Sequence, residues 1–364
     1  PEMAGVLARD TPSPPPSPNG WSVWGHDEAV DGLRRAVARN HVSHAYLVAG
    51  PDGVGKGALA TGFARAICCQ DDRRPDPSLP CGVCLACRKI ARGVHPDVET
   101  FGLASQAALA DKDGRQTSLT IETVRRLSAA IALRPMEARR RVVVVEDAES
   151  MQEVAQEALL KTLEEPPPSV VILLLAADSE ALLPTIRSRC RPIELHPVPR
   201  PVVAAMLAAT GTDAGRVEEI AALAAGRPGW ALRAAADPAL ITAWRDGVER
   251  AMTWIGAPAY DRLVTAVRLG DNFSKRRPEV FADLGTLLGV WRDALLLRAD
   301  LPHYLTYRGY ADRLSELARG WELESLRRAV CAVQTCIADL EANVRPRLAI
   351  EAMVLQWPTS SRHP

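Results

Sequence analysis

The sequence predicts an α/β layer fold with a parallel sheet, followed by segments that are helical throughout. Short continuous apolar runs such as Val142–Val145 and Val170–Ala177 alternate with amphipathic stretches in the first half of the chain. Continuous apolar runs are typical of strands covered on both faces, and their alternation with helices implies parallel pairing. From about residue 200 to residue 237 the pattern is alanine-rich and helical, and a further helical pattern follows at 323–344.

Length and composition set the class of protein. The 364 residues allow two or three domains. Apolar residues make up 47% and charged residues 24%, which is ordinary globular usage. Lys plus Arg and Asp plus Glu both total 44, so any contact with nucleic acid must come from a local basic patch. No apolar run reaches the roughly 18 residues of a membrane-spanning helix. We expect a cytoplasmic protein with no membrane partner, because no signal peptide is visible.

Three segments follow one another along the chain. The proline-rich residues 1–20 predict a disordered leader. Residues 21–199 contain the alternating pattern of the sheet, and the alanine-rich residues 200–237, with a turn at 226–229, predict a small helical appendix. The five expected strands lie at Ala45–Gly50, Val98–Phe101, Val142–Val145, Val170–Ala177 and Pro192–Leu195.

A long helix is predicted near the carboxyl end. Its apolar residues step by three and four, and they form one seam that packs either on this chain's own core or on a partner subunit. The seam consists of Leu323, Leu326, Val330, Val333, Ile337, Leu340 and Val344.

A glycine-rich loop between the first strand and a helical stretch predicts a phosphate cradle for ATP. In such a Walker A loop the backbone N–H groups hold phosphates and a lysine reaches the outer ones. The final position requires a hydroxyl that binds Mg²⁺, and Gly57 has none. Nucleotide binding is therefore favoured over hydrolysis, and a chance glycine turn is the alternative. The loop residues are Gly50, Pro51, Asp52, Gly53, Val54, Gly55, Lys56 and Gly57.

Two acids end the third strand, where a Walker B motif presents an aspartate and then a glutamate. Glu146 and Asp147 occupy these positions in reverse order. Each carboxylate is displaced by one methylene, and positioning errors of about 1 Å can cost on the order of 10²-fold in rate. We expect a degenerate Walker B pair, and a strand that ends in solvated acids is the alternative.

Five of the eight cysteines lie between residues 68 and 87. Cys81, Cys84 and Cys87 have the two-residue spacing of a metal knuckle, with Cys68 or Cys69 as the fourth ligand. This pattern predicts a structural Zn²⁺ site with no open position. Inert or disulfide-bonded thiols are the alternative. The remaining cysteines, Cys190, Cys331 and Cys336, are expected to be packing residues, and His95 is expected to be a loop residue.

The order of these motifs resembles that of the bacterial clamp-loader subunits of DNA polymerase III, which are AAA+ proteins. The shared series is the Walker A loop, the four-cysteine insertion, GVHPDVE, a basic helix, EDAE, EALLKTLEEPP and TIRSRC. It runs from Trp24 to Leu195, with a weaker echo at Asn343–Glu351. The resemblance implies a RecA-like AAA+ domain over 21–199 with a zinc module at 69–87, a helical lid over 200–240 and a helical collar for oligomerisation over 241–364.

Within that family, two kinds of subunit have a zinc module. The motor kind, gamma or tau, requires a hydroxyl side chain at the position of Gly57 and the normal aspartate–glutamate order of Walker B. It also requires a polar sensor residue where this chain has Ala176 or Ala177. These three departures imply the non-motor kind, with weak or absent ATPase activity, and a gamma/tau-type motor ATPase is the alternative. A P-loop protein outside replication, with a coincidental cysteine cluster, is a third possibility.

The resemblance also implies roles for individual residues. Arg189 would be an arginine finger given to a neighbouring ATPase, Arg233 a lid residue that senses the γ-phosphate, and Cys69 the fourth zinc ligand. The segment Val23–His26 would contact adenine, and Arg125 and Arg126 would face DNA or else lie on a solvated helix face. For the arginines at 139–141 we expect a solvated surface.

The implied partners are the gamma/tau and delta subunits in a hetero-pentamer and the sliding clamp. Primed DNA would be contacted weakly, through the assembled ring.

Overall fold

The computed structural model describes residue 15 and residues 17–110, 118–342 and 344–358. It divides into two compact units, Pro1–Ala236 and Asp237–Pro364. Of the expected leader, residues 1–14 and 16 lie outside the described residues. Residues 17–20 form a turn in which the Asn19 side chain donates a hydrogen bond to the Val23 carbonyl at 2.6 Å. Within the described ranges, no helix has the length and apolarity needed to cross a membrane.

The first unit contains a five-stranded parallel sheet in the order β2-β3-β4-β1-β5. Each expected strand is confirmed within one residue of its predicted ends. The first strand of the chain is interior, with Leu47 opposite Leu174 on one side and Pro192 on the other. The strands are β1 (Ala45–Ala49), β2 (Val98–Phe101), β3 (Arg141–Val145), β4 (Val170–Ala176) and β5 (Arg191–Glu194).

Helices cover both faces of this sheet, as the continuous apolar runs require. Successive residues of β3 point to opposite faces, so Val143 joins one buried cluster and Val142 the other. Among the described residues of this unit, seven helices flank the sheet: α1 (Asp27–Ala38), α2 (Lys56–Cys68), α3 (Leu85–Ala91), α4 (Leu103–Ala110), α5 (Ile121–Ala132), α6 (Glu153–Glu164) and α7 (Pro184–Arg187). The parallel α/β fold predicted from the sequence is therefore confirmed.

Three further helices complete the first unit and form the helical appendix. They are α8 (Arg200–Ala209), α9 (Ala214–Leu223) and α10 (Pro228–Ala236). Gly226 adopts a φ of +77° at the turn that precedes α10, where a Cβ would lie 2.7 Å from the Val198 carbonyl oxygen. Only glycine tolerates both the left-handed backbone and this close approach.

The second unit is wholly helical among its described residues, apart from short 3₁₀ turns at 302–304 and 308–310. Its core contains Trp254 and Trp291, whose rings lie 4.9 and 5.5 Å from that of Trp357. Its helices are α11 (Pro238–Gly256), α12 (Ala259–Asp271), α13 (Phe273–Arg298), α14 (Ala311–Ala318), α15 (Leu323–Glu341) and α16 (Pro346–Leu355). The position expected to separate lid from collar, 240/241, lies inside α11, whereas the compact units divide at 236/237.

The predicted apolar seam of α15 packs on this chain's own core in its middle and is exposed at its two ends. Leu326, Val333 and Leu340 are buried within the second unit. Leu323, at the first residue of the helix, and Val344, three residues beyond its last, are exposed, so a partner subunit remains the alternative for these two positions. Cys331 is also exposed, which corrects its assignment as a packing residue, whereas Cys190 and Cys336 are buried.

Candidate functional site

The glycine loop connects the end of β1 to the start of α2. Gly50, Gly53 and Gly55 have positive φ angles of 152°, 76° and 122°. At Gly50 a Cβ would lie 2.3 Å from the Leu195 carbonyl oxygen. This backbone path is available to glycine alone, and the helix that follows supplies the positive end of a dipole for an anion.

The lysine of this loop makes contacts within the loop itself. The Lys56 ammonium donates a hydrogen bond to the Gly50 carbonyl at 2.5 Å and lies 3.3 Å from the Asp52 carboxylate. Its side chain is 13% exposed, whereas that of Asp52 is 88% exposed. A phosphate would therefore compete with the Gly50 carbonyl for the ammonium.

Gly57 faces open space: a Cβ built on it meets nothing within 4 Å. A larger residue would therefore fit at position 57, so packing does not require glycine there. What glycine lacks is the oxygen that would bind Mg²⁺. The cavity beside it, of about 30 Å³, is also lined by Glu146, His95 and Thr100.

Two neighbouring segments are attached to the loop. The His26 imidazole donates from Nε2 to the Val54 carbonyl at 3.0 Å, and burial lowers the pKa of His26. On the other side, the Gly229 amide donates to the Gly53 carbonyl at 2.7 Å, so the first turn of α10 contacts the tip of the loop. Arg233 lies one turn further along α10 and is half-buried.

The acidic pair at the end of β3 lies beside the loop, where the sequence predicts it. The Glu146 amide donates to the Phe101 carbonyl at 2.7 Å, and Asp147 adopts the left-handed conformation with φ of +53°. Burial, and secondarily the Asp147 charge, raises the pKa of Glu146. At the end of β4, the buried Ala176 and the exposed Ala177 offer no polar side chain to this region.

The cysteine cluster forms a compact four-sulfur group. The Sγ atoms of Cys69, Cys81, Cys84 and Cys87 all lie within 4.8 Å of one another, and that of Cys69 is 3.9 Å from that of Cys84. Sulfurs bound tetrahedrally at ~2.3 Å are about 3.8 Å apart, so the group can hold a metal ion.

The backbone favours a thiolate at Cys84, whereas burial raises the pKa of Cys81 and of Cys87. The amides of Cys84 and Cys87 donate to the Sγ atoms of Cys81 and Cys84 at 3.3 and 3.4 Å. Burial opposes ionisation of Cys84, yet the N–H donors of Cys87 and Gln70 outweigh it and lower the pKa of Cys84 to about 6.

Geometry also separates the two candidates for the fourth position. Cys68 is buried and its thiol is directed to the Arg140 carbonyl at 3.7 Å, whereas Cys69 joins the cluster.

Arg189 lies at the surface, between the last turn of α7 and β5. The buried side chains of Ile186 and Cys190 fix its backbone from both sides. Its Nη2 lies 2.8 Å from the Glu164 carboxylate, and its Nη1 donates to the Thr185 carbonyl at 2.9 Å. Of the flanking arginines, Arg187 pairs with Glu180, and Arg191 is exposed.

The arginines that the sequence analysis placed on solvated surfaces differ in their exposure. Arg125 and Arg126 are exposed on α5, and Arg125 lies 3.8 Å from Glu122 in a weak pair. Arg141, expected to be solvated, is buried at the start of β3 with its guanidinium 3.6 Å from Asp97. That expectation is wrong because β3 begins at Arg141 and is covered on both faces.

Asp97 is an organising residue that the sequence analysis did not identify. Its buried carboxylate accepts hydrogen bonds from the amides of Met136, Glu137 and Ala138 at 2.7–2.8 Å. The Asp97 amide in turn donates to His95 Nδ1 at 3.0 Å, which fixes the tautomer of this buried ring. An acid immediately before a predicted strand was the available signal.

A parallel sheet with this strand order and a glycine loop after an interior strand is the arrangement of a P-loop nucleotide-binding protein. Within this class, residues 25–199 match the family described as "DNA polymerase III, delta subunit". The DNA polymerase III subunit delta' of Pseudomonas aeruginosa is 38% identical over 191 residues, 51% of this chain and 54% of that protein. That of Escherichia coli K12 is 34% identical over 197 residues, 54% of this chain and 55% of that protein.

The gamma/tau subunit of Mycobacterium tuberculosis H37Rv is 29% identical over 186 residues, 51% of this chain and 30% of that protein. A solved gamma-subunit-related protein of Thermotoga maritima aligns at 18% identity over 90% of this chain and 97% of that chain, with a TM-score of 0.37, which adds nothing to the fold assignment.

The chain thus spans about half the length of the delta' relatives it matches. The resemblance to the clamp-loader subunits of DNA polymerase III is confirmed for residues 25–199.

Proposed function

We propose that this chain is a delta-prime-type subunit of a DNA polymerase III clamp loader. In this role it helps to assemble a ring with gamma/tau and delta subunits and donates Arg189 to the ATP site of a neighbour. The ring then loads the sliding clamp onto primed DNA. The observation that carries the proposal is a contrast within one domain. Arg189 lies at the surface, while the chain's own lysine, Lys56, contacts its own loop beside a Gly57 that lacks a hydroxyl.

The chain's own pocket supports weak nucleotide binding with little hydrolysis. Mg²⁺ bound with ATP neutralises phosphate charge, and the protein normally orients it through a hydroxyl and a carboxylate. Here Gly57 supplies no oxygen, and Glu146 and Asp147 are reversed. The loop glycines retain the cradle backbone. Arg233, on the helix that contacts the loop, would sense a bound γ-phosphate.

Arg189 suits the role of a finger for a chemical reason. A guanidinium offers a rigid fork of donors that matches phosphate oxygens, and such a residue supplied in trans is worth ~10³ to 10⁵ in rate. Its backbone is fixed by buried neighbours while its side chain is 35% exposed. This combination is what delivery to another subunit requires.

The four-cysteine group would hold one structural Zn²⁺ through Cys69, Cys81, Cys84 and Cys87. Four thiolates complete a tetrahedral shell and leave no position for substrate. A bound Zn²⁺ would tie the end of α2 to α3, because its ligands lie on both sides of residues 70–80.

The proposed domain organisation follows the family: the AAA+ domain over 21–199, the lid over 200–240 and the oligomerising collar over 241–364. Contact with DNA would be weak and would come from Arg125 and Arg126 in the assembled ring. Such phosphate contact is independent of base sequence and decreases with salt.

Reconstitution with the partner gamma/tau and delta subunits tests the proposal. Arg189→Ala should lower the clamp- and DNA-stimulated ATPase rate of the complex by about tenfold or more. Arg191→Ala removes a neighbouring exposed arginine and serves as the matched control, with no expected change. An unchanged rate with Arg189→Ala would refute the finger role, and failure to co-purify with these subunits would refute the assembly role.

A gamma/tau-type motor ATPase is the second candidate, and one observation favours it. The loop retains its three left-handed glycines and its lysine. Sustained ATP turnover by the isolated chain, lost with Lys56→Ala, would establish this alternative.

A further inference from the structure

The carboxylate that contacts the finger guanidinium lies on a different element from the finger itself. Glu164 is the last residue of α6, and its Oε1 is 2.8 Å from Arg189 Nη2. The two residues are 25 positions apart in the sequence. The pairing therefore exists only because α6 and α7 pack side by side.

The position of Glu164 is fixed from both directions along the chain. Leu163 is buried immediately before it, and three prolines follow at 166–168. The residue before a proline is disfavoured in the helical conformation, and Glu165 accordingly leaves the helix with φ of −122° and ψ of 61°. The prolines that follow therefore end the helix at Glu164.

A carboxylate at this position is locally unfavourable. The carboxyl end of a helix carries partial negative charge, which repels an anion and attracts a cation. The Arg189 guanidinium compensates the negative charge of the Glu164 carboxylate. A second contact, from Nη1 to the Thr185 carbonyl at 2.9 Å, fixes the other half of the fork.

We infer that Glu164 is a positioning residue for Arg189: it orients the guanidinium toward the neighbouring subunit before nucleotide arrives. An unpaired arginine samples many rotamers, and holding it in one shortens the search for productive geometry. Glu164 and Arg189 have side chains 50% and 35% exposed, so the pair is screened and exchanges readily with phosphate. This inference rests on the proposed finger role.

The test compares single variants in the complete reconstituted complex. Glu164→Gln should lower kcat for ATP by about tenfold and leave KM within about twofold, since the loss affects alignment and not nucleotide binding. Glu164→Asp, which keeps the charge, should recover part of kcat. Glu165→Gln is the matched control, because the adjacent Glu165 is exposed and forms no ion pair among the described residues, and it should leave kcat unchanged.

Thermal melting of each free variant separates positioning from folding. The pair is exposed, so Glu164→Gln should melt within about 2 °C of the parent chain. An unchanged or increased kcat with Glu164→Gln, alongside a large loss with Arg189→Ala, overturns the positioning role and leaves the finger role intact. An unchanged kcat with Arg189→Ala overturns the finger role itself.

Discussion

The Lys56 ammonium donates a hydrogen bond to the carbonyl oxygen of Gly50, six residues earlier in the same loop. The ammonium of Lys56 is therefore already hydrogen-bonded within the loop. Among the described residues, the exposed Asp52 is the only carboxylate that pairs with Lys56. Any nucleotide must displace this contact to reach the lysine. Without a hydroxyl at residue 57, a metal ion gains no ligand from the position where the loop normally supplies one.

The first prediction concerns Mg²⁺. The affinity of the parent chain for ATP should be the same within about twofold with and without Mg²⁺, because residue 57 has no hydroxyl to bind it. Gly57→Thr should fold normally, since a Cβ meets no atom within 4 Å, and should gain a Mg²⁺-dependent increase in affinity. Calorimetric titration measures both.

Lys56→Ala is the control for that titration and should abolish binding in either background. A parent chain that already binds ATP much more tightly with Mg²⁺ would contradict the account of Gly57.

The second prediction distinguishes two adjacent cysteines. Cys69→Ser should reduce bound zinc, measured by elemental analysis of protein purified under reducing conditions, because Cys69 lies in the four-sulfur group. Cys68→Ser should retain the metal: burial raises the pKa of Cys68 to about 12, and its thiol contacts a carbonyl outside the group.

Chelation should also loosen residues 69–87 toward proteases, because metal binding is coupled to local folding. Full zinc content in Cys69→Ser, or loss in Cys68→Ser, would reverse the assignment.

The third prediction concerns the stability of the first unit. Asp97→Asn should lower the free energy of unfolding by about 3 kcal/mol, because it removes the carboxylate from three backbone amides and from the buried Arg141. Glu99→Gln removes the more exposed partner of Arg141 and is the control, with a loss of about 1 kcal/mol or less. Denaturant unfolding measures both, and equal losses would contradict the special role of Asp97.

The pH dependence of this contribution has a definite sign. Burial alone would raise the pKa of Asp97, but the amides and Arg141 outweigh it, so the net pKa is lowered. The stabilisation is therefore present above the unfolded pKa of about 3.9 and is lost as the pH falls through the folded pKa.

The fourth prediction concerns two buried histidines. Burial lowers the pKa of both His26 and His95 below 6.5. Below that pH the unfolded chain binds protons that the folded chain does not, so the free energy of unfolding should decrease as the pH falls from 7.5 to 5.5.

Substituting both histidines with glutamine should flatten this part of the profile. His41→Gln, at an exposed histidine that affects the pKa of neither His26 nor His95, should leave it unchanged. A profile that stays steep in the double variant would assign the effect to other groups.

The sequence was sufficient to predict those elements that depend on neighbouring residues alone. Apolar runs predicted β3 and β4, since strands buried on both faces need no polar alternation. The phosphate-binding loop and the cysteine knuckle are each formed by residues close together in the sequence, so the spacing of those residues was sufficient to predict them. Arg141 was misassigned because its surroundings come from Asp97, 44 residues earlier.

The sequence by itself determined the order of strands and helices, the phosphate cradle, the loss of its hydroxyl and the set of candidate metal ligands, because each follows from neighbouring residues. Only the tertiary structure decided that Cys69 and not Cys68 joins the sulfur group, that Gly229 contacts the loop tip at Gly53, and that Glu164 holds Arg189. These relationships depend on distances between segments far apart along the chain. Packing fixes such distances, and no local pattern of residue types encodes them.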